Sequence, residues 1–166
     1  MKQYNDALQQ ILEHGKEKTD RTGTGTLSIF GMQMRFDLRL GFPAVTTKKL
    51  AWRAVVSELL WFLEGSCDER RLREILHGDR NSEKSTIWTA NAEAEYWKPF
   101  TRFEGDLGRI YGVQWRNWRT PNRKWLNSST FEPIIIDQFQ ELIEGIKTNP
   151  DSRRHIMLSL IHISEP

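Results

Sequence analysis

Between Leu50 and Leu63 the apolar residues Trp52, Val55, Val56, Leu59, Leu60 and Leu63 recur at helical spacing, predicting an amphipathic helix buried along that stripe. Gly65 ends it. The one carboxylate of the run, Glu58, falls at the edge of the stripe beside Val55 and Phe62 when residues are placed at about 100° each. A carboxyl half-buried against apolar neighbours is expected to have a raised pKa and to move protons near neutral pH. A plain boundary glutamate reaching solvent is the other reading of the same spacing.

The remaining elements follow in order. Tyr4, Ala7, Leu8, Ile11 and Leu12 predict a first helix ended by Gly15, and Lys16 to Thr22 reads as a charged loop. A strand is expected after Gly23-Thr24-Gly25-Thr26, with Leu27 and Ile29 on one face. Met32, Met34 and Phe36 take the opposite parity, so a bulge is expected near Gly31. Ser66 with Glu69 predicts a capping box for a short helix through Leu72, Ile75 and Leu76. Thr86 to Trp97 reads as a short helix with aromatic ends, whereas Leu107 to Trp118 shows no clear periodicity. Thr120 to Thr130 is polar and turn-forming. Pro133 suits the first turn of a last helix with Ile135, Phe139, Leu142, Ile143 and Ile146 inward, broken by Asn149-Pro150-Asp151. From His155 on, the composition is that of a strand.

Composition narrows the function classes. A chain of 166 residues with 38% hydrophobic and 28% charged residues suits one domain, or a piece of one, with a real core. A net charge of +2 gives no general drive toward nucleic acid or membrane, and no run is long and apolar enough to span a bilayer. The N-terminus opens on an amphipathic pattern rather than a secretory signal, and the single Cys fits a reducing compartment, so a cytoplasmic location is expected.

Three stretches are candidates for chemistry. D-R-T-G-T-G-T at 20–26 combines a guanidinium, hydroxyls and glycines. It suits a phosphate group, or else is a glycine turn whose threonines satisfy the backbone. Arg153 and Arg154, after a helix-breaking proline, are a second phosphate clamp or a solvated charge pair. Trp88 and Tyr111 could stack a flat ligand or simply pack a core. Cys67, in the first turn of a predicted helix, has a dipole to lower its pKa but Glu69 to oppose it and no nearby His, so it is not expected to be a nucleophile. The four His show no metal-ligand spacing, and no metal is expected.

Taken together these stretches resemble thymidylate synthase. The carrying residues are D-R-T-G-T-G-T at 20–26, G-F-P-A-V-T-T-K-K at 41–49, E-L-L-W-F-L at 58–63, T-I-W at 86–88, G-D-L-G-R-I-Y-G-V-Q-W-R at 105–116 and P-D-S-R-R at 150–154. The resemblance implies an α+β fold, a mixed β-sheet packed by helices and incomplete at the C-terminus. It also implies methylation of dUMP to dTMP with 5,10-methylenetetrahydrofolate as one-carbon donor and reductant. By the same resemblance Glu58 is the catalytic acid/base. Arg21 binds the nucleotide phosphate, Arg153 and Arg154 reach the nucleotide of a partner subunit in a homodimer, and Tyr111 helps order the site. Ile87 and Trp88 line the folate site, and Lys48 and Lys49 lie near the folate's glutamate tail.

The departures carry their own expectations. The family's nucleophilic Cys lies beyond the Arg-Arg motif in a Pro-Cys-His setting, and Cys67 does not match it. Residues 1–158 therefore read as the N-terminal part of a single domain, with 159–166 a tail that does not match. The segment Trp88-Thr89-Ala90-Asn91 lacks the acid that many members place after that Trp, and Ala51 stands where some members have a His. Such a chain is expected to be inactive by itself and prone to aggregate through exposed sheet edges. Two other readings are a pyrimidine-nucleotide hydroxymethylase of the same superfamily and a nucleic-acid binder using the Trp and Arg residues of 109–119. The near-neutral net charge counts against the binder, and DNA is not expected as a partner.

Overall fold

A computed structural model describes residues 1–19, 23–120 and 133–160. The chain divides into two compact units, Met1–Ala51 and Trp52–Pro166.

In the first unit, helix α1 (Lys2–His14) buries Ala7 alone, while Leu8 and Leu12 stay exposed. Gly15 follows because a Cβ there would meet the Ile11 carbonyl oxygen at 2.3 Å. The stretch read as a charged loop contains a strand: β1 (Lys16–Lys18) pairs antiparallel with β2 (Thr26–Ser28), Glu17 opposite Leu27. Three alternating charges had masked a strand whose pairing comes from a later segment. The longer strand expected through Phe36 is not formed. Regular pairing stops at Ser28, and Phe30, Met32 and Met34 are exposed. A single turn of 3-10 helix, Leu38–Leu40, is capped by Asp37.

The second unit is organised around helix α2 (Trp52–Leu63). Its length agrees with the pattern; its orientation does not. Ser57 and Trp61 are the buried residues, whereas Val55 and Leu59 of the expected stripe are 44% and 49% exposed and Trp52, Val56 and Leu60 are exposed too. Two apolar faces compete on this helix, and packing selects the one bearing Trp61. Gly112 lets helix α5 (Tyr111–Arg116) approach closely, since a Cβ there would lie 2.7 Å from the Phe62 backbone. That helix falls in the stretch where no periodicity was visible, because six residues are too few to show one.

Helix α3 (Glu69–His77) starts at an N-cap other than the expected one. Asp68 accepts the Arg70 N–H at 3.0 Å, and the Ser66 hydroxyl instead accepts the Asp68 N–H. The backbone is pinned just there, with Asp68 bridged to Asp106 and the Glu69 N–H donated to Gly105 O at 2.8 Å. Glu69 is thus turned inward and does not close a capping box. The helix expected over Thr86 to Trp97 is reduced to α4 (Thr89–Ala92), with a 3-10 turn at Lys98–Phe100. Pro133 leads not into a helix but into β4 (Ile134–Ile136), antiparallel to β3 (Trp118–Thr120). Three consecutive β-branched residues favour the strand, and α6 (Gln138–Thr148) begins only after the Asp137 cap.

His155 to Leu160 alternates between half-buried and exposed, as a strand would, yet has no strand partner among the described residues. Two glutamine side chains take that role. Gln138 donates to Leu158 O and accepts its N–H, and Gln114 does the same at Leu160. Residues 121–132 and 161–166, which include most of the expected turn and most of the unmatched tail, lie outside the described residues.

The core of this unit is Trp61, Leu72, Trp88, Leu107 and Ile110, with Phe62, Ile75 and Tyr111 packed against it. Asp106, fully buried, pins its floor. Arg102 donates to both of its oxygens at 2.7 and 2.8 Å, and the Gly108 N–H adds a third bond. Burial alone would raise this carboxyl, but Arg102 and the backbone donors outweigh it and hold it well below the usual carboxylate range.

Two outcomes follow. Leu72→Ala is expected to cost about 3 kcal/mol and Leu59→Ala less than about 1 kcal/mol in urea unfolding, whereas burial of the α2 stripe would reverse that order. Asp106 binds fewer protons native than unfolded, so its contribution is complete above the unfolded value of about 3.9 and is lost as pH falls below it. Urea midpoints should fall with acidification below about pH 5. Asp106→Asn should remove part of that slope, leaving the part due to Glu64 and Glu69, which are also held low.

Candidate active site

Glu58 stands in the middle of α2, one turn before Phe62, and is half-buried. The chain returns beside it at Trp88, just ahead of α4, whose indole Nε1 donates to Glu58 Oε1 at 2.7 Å. Trp88 is 9% exposed, so its N–H has to find an acceptor inside the fold. The second carboxyl oxygen of Glu58 has no hydrogen bond among the described residues. Phe62 holds the group together. Its ring meets Trp88 edge-on at 6.1 Å and Tyr111 at 5.5 Å, and Trp88 meets Tyr111 at 6.1 Å. Edge-to-face contacts of this kind fix ring orientation as well as burying area. The result is a carboxylate oriented through one oxygen, backed by three rings, with the other oxygen available to a water or ligand. An oriented carboxylate of that kind can take up or deliver a proton.

A model of the family described as thymidylate synthase matches residues 2–163. The chain belongs to the thymidylate synthase family. The crystal structure of thymidylate synthase from T4 phage is similar at a TM-score of 0.73 and 44% identity, over 93% of this chain and 48% of that one. The α+β fold, with its helices and small sheets, is close to that of the family. The chain spans about half the length of the phage protein it matches.

Of the residues to which the family resemblance gave roles, Glu58, Trp88 and Tyr111 come together. Ile87, next to the buried Trp88, is 80% exposed and presents an apolar side chain at the surface. Arg153 and Arg154 are both exposed and make no ion pair among the described residues. Arg154 lines an open groove of about 530 Å³ with Trp118, Leu142 and His155, a groove that Glu58 does not enter. Lys48 and Lys49 are exposed on the unit Met1–Ala51, and Arg21 lies outside the described residues. Sequence reasoning missed Phe62 as the organiser of the rings. The available signal was its position four residues after Glu58, which puts both on one face. Among the described residues no helix is long and apolar enough to cross a membrane, and no group of three His, Cys, Asp or Glu could hold a metal.

Cys67 is not in the first helical turn as expected; it precedes the Asp68 cap, so the α3 dipole does not govern it. Burial raises its pKa, and Asp106 raises it further; Arg102, 3.2 Å from Sγ, opposes both without prevailing. The opposing acid is Asp106 rather than Glu69. Alkylation of this thiol should therefore be half-maximal above pH 9.0, and Asp106→Asn should move the profile toward lower pH. A profile centred at or below neutrality would contradict this account.

Proposed function

We propose that this chain carries the proton-handling half of a methyltransferase site that converts dUMP to dTMP. The observation that carries the reading is the Trp88–Glu58 hydrogen bond within a chain of this family. Glu58 Oε2 moves a proton to or from the pyrimidine through ordered water, while Oε1 stays on the indole so that the carboxylate keeps one orientation. Tyr111 and Phe62 limit water on that side. 5,10-Methylenetetrahydrofolate, when bound, supplies the one-carbon unit and the reducing equivalents. The exposed Ile87 offers it an apolar contact beside the proton donor, and Trp88 serves the same site through Glu58. The residues present suit such a group, since an apolar surface adjoins an oriented carboxylate.

Anion recognition falls to the cations. Arg21 binds the nucleotide phosphate, Lys48 and Lys49 meet the folate's glutamate tail, and Arg153 and Arg154, free of internal ion pairs among the described residues, reach the phosphate in a partner subunit of a homodimer. The one cysteine of the 166 residues is unsuited to attack, so this polypeptide by itself is expected to form no dTMP from dUMP and methylenetetrahydrofolate. Residues 1–158 joined to the half of the T4 phage enzyme that this chain does not match provide the positive arm. That chimera should release dihydrofolate and dTMP together, and Glu58→Gln within it should lower kcat by about 10² or more. A chimera that folds but is indifferent to Glu58→Gln would sink the assignment, and a hydroxymethyl product without dihydrofolate would redirect it.

A further inference from the structure

Glu69 is 1% exposed, a costly place for a carboxylate unless its charge and lone pairs are met. Arg73, one turn along α3, donates its Nε to Oε1 at 3.0 Å and lies 2.7 Å from Oε2. Oε1 also reaches across to a different part of the chain. Oε1 accepts from the Thr86 hydroxyl at 2.7 Å and from the Thr89 hydroxyl at 2.5 Å. Those two threonines are the ends of the turn that carries Ile87 and Trp88.

The turn is closed on itself by the same atoms. The Thr86 hydroxyl, while donating to Glu69, accepts the Trp88 backbone N–H at 3.2 Å. The Thr89 hydroxyl, also donating to Glu69, accepts the Thr86 N–H at 2.8 Å. A continuous path therefore runs from Arg73 through Glu69 and the Thr86 hydroxyl to the Trp88 backbone, and from the Trp88 indole to Glu58 Oε1. The Thr89 N–H adds a bond to Thr86 O at 3.3 Å, and Trp61, Phe62 and Tyr111 pack against the indole. Helix α4 is only four residues long and has no side-chain cap, too short to fix the ring by its own hydrogen bonding. An apolar residue at position 69 would pack, but it would leave both hydroxyls without their acceptor.

We propose that Glu69 is a positioning residue for the acid/base. Held by Arg73, it fixes the Thr86–Thr89 turn and so sets the indole that orients the Glu58 carboxylate. The inference rests on the reading of Glu58 as the proton-handling group, but its test uses neither nucleotide nor folate and so can fail independently of that reading.

The test is the indole N–H spectrum of the 166-residue chain with 15N-labelled tryptophan. The Trp88 resonance, identified by its loss in Trp88→Phe, should be displaced in Glu58→Gln. In Glu69→Gln the Trp88 resonance should move toward its position in Glu58→Gln. The Trp97 and Trp115 resonances, which report bonds to Asp106 O and Ser159 Oγ, should stay in place. The double variant Thr86→Val, Thr89→Val leaves the Glu69–Arg73 pair intact and should have the same effect, so it decides the matter if Glu69→Gln does not fold. Loss of stability without any change at Trp88 in the folded variants would overturn the proposal, because a merely structural carboxylate would give that result.

Discussion

A buried indole has one obligation: its ring prefers the core, but its N–H must meet an acceptor there. In the unit Trp52–Pro166 the indoles of Trp61, Trp88, Trp97 and Trp115, buried or half-buried, meet that obligation on three kinds of acceptor, Trp115 bonding the Ser159 hydroxyl. Trp61 donates to Asp68 O and Trp97 to Asp106 O, both backbone carbonyls that ordinary packing brings within reach. Trp88 is given a carboxylate instead. A carbonyl would satisfy the ring equally well, so the choice of Glu58 places an ionisable group at the border of the core where nothing in packing requires one. The Trp88 bond is structural for the ring and orienting for Glu58, and the same 2.7 Å contact serves both.

The floor beneath this pair is made of charges rather than of more apolar bulk. Asp68, Glu69 and Asp106 are buried, and each is matched by arginines, namely Arg70 and Arg80 for the first, Arg73 for the second and Arg102 for the third. Buried pairs of this type contribute little net stability, because desolvation consumes most of the Coulombic gain. What they provide is geometry. Glu69 seizes the turn before α4, and Asp106 closes the 102–108 loop, whose Arg102 reaches Cys67. The exposed side chain of Arg102 and the half-exposed one of Arg80 keep the solvation cost of the cations low.

How much of this could be read from the chain depends on how local the cause was. The existence of α1, α2, α3 and α6 followed from spacing, because each is long enough to show a period. Which side of α2 faces inward did not. The six-residue stripe has the greater apolar area, but the buried face is chosen by Gly112, Leu72 and Ile110, which come from other elements. The short pieces failed for the same reason: β1 is three charged and polar residues whose strand state is conferred by β2, and Ile134–Ile136 is claimed by Trp118–Thr120. At the site, Glu58 stood out as the lone acid in an apolar run. Glu69 did not, since its i+3 relation to Ser66 has a familiar explanation that proved wrong. Thr89 looked like a loss, being a residue without the acid expected after the tryptophan. The coordinates show that its hydroxyl finds a carboxylate after all, delivered from α3.

Cys67 shows why a residue's chemistry is decided by its setting. By sequence it shared one feature of a reactive thiol, a place at the start of a helix, with Glu69 opposing it and no His nearby. In three dimensions a cation, Arg102, does come near, but it is committed through both its Nε and Nη2 to Asp106, and only a residual contact is left for the sulfur. Partial burial and the nearby carboxylate then favour the neutral thiol. Glu58 is the converse case: its partner is neutral, so the indole orients the carboxylate without neutralising it, and a proton can come and go without breaking an ion pair. A site that must pass protons repeatedly is better built on an oriented, unpaired acid than on a salt bridge. Of the two kinds of carboxylate in this unit, those paired with arginine hold segments in place, and the one bonded to an indole is oriented without a counter-charge.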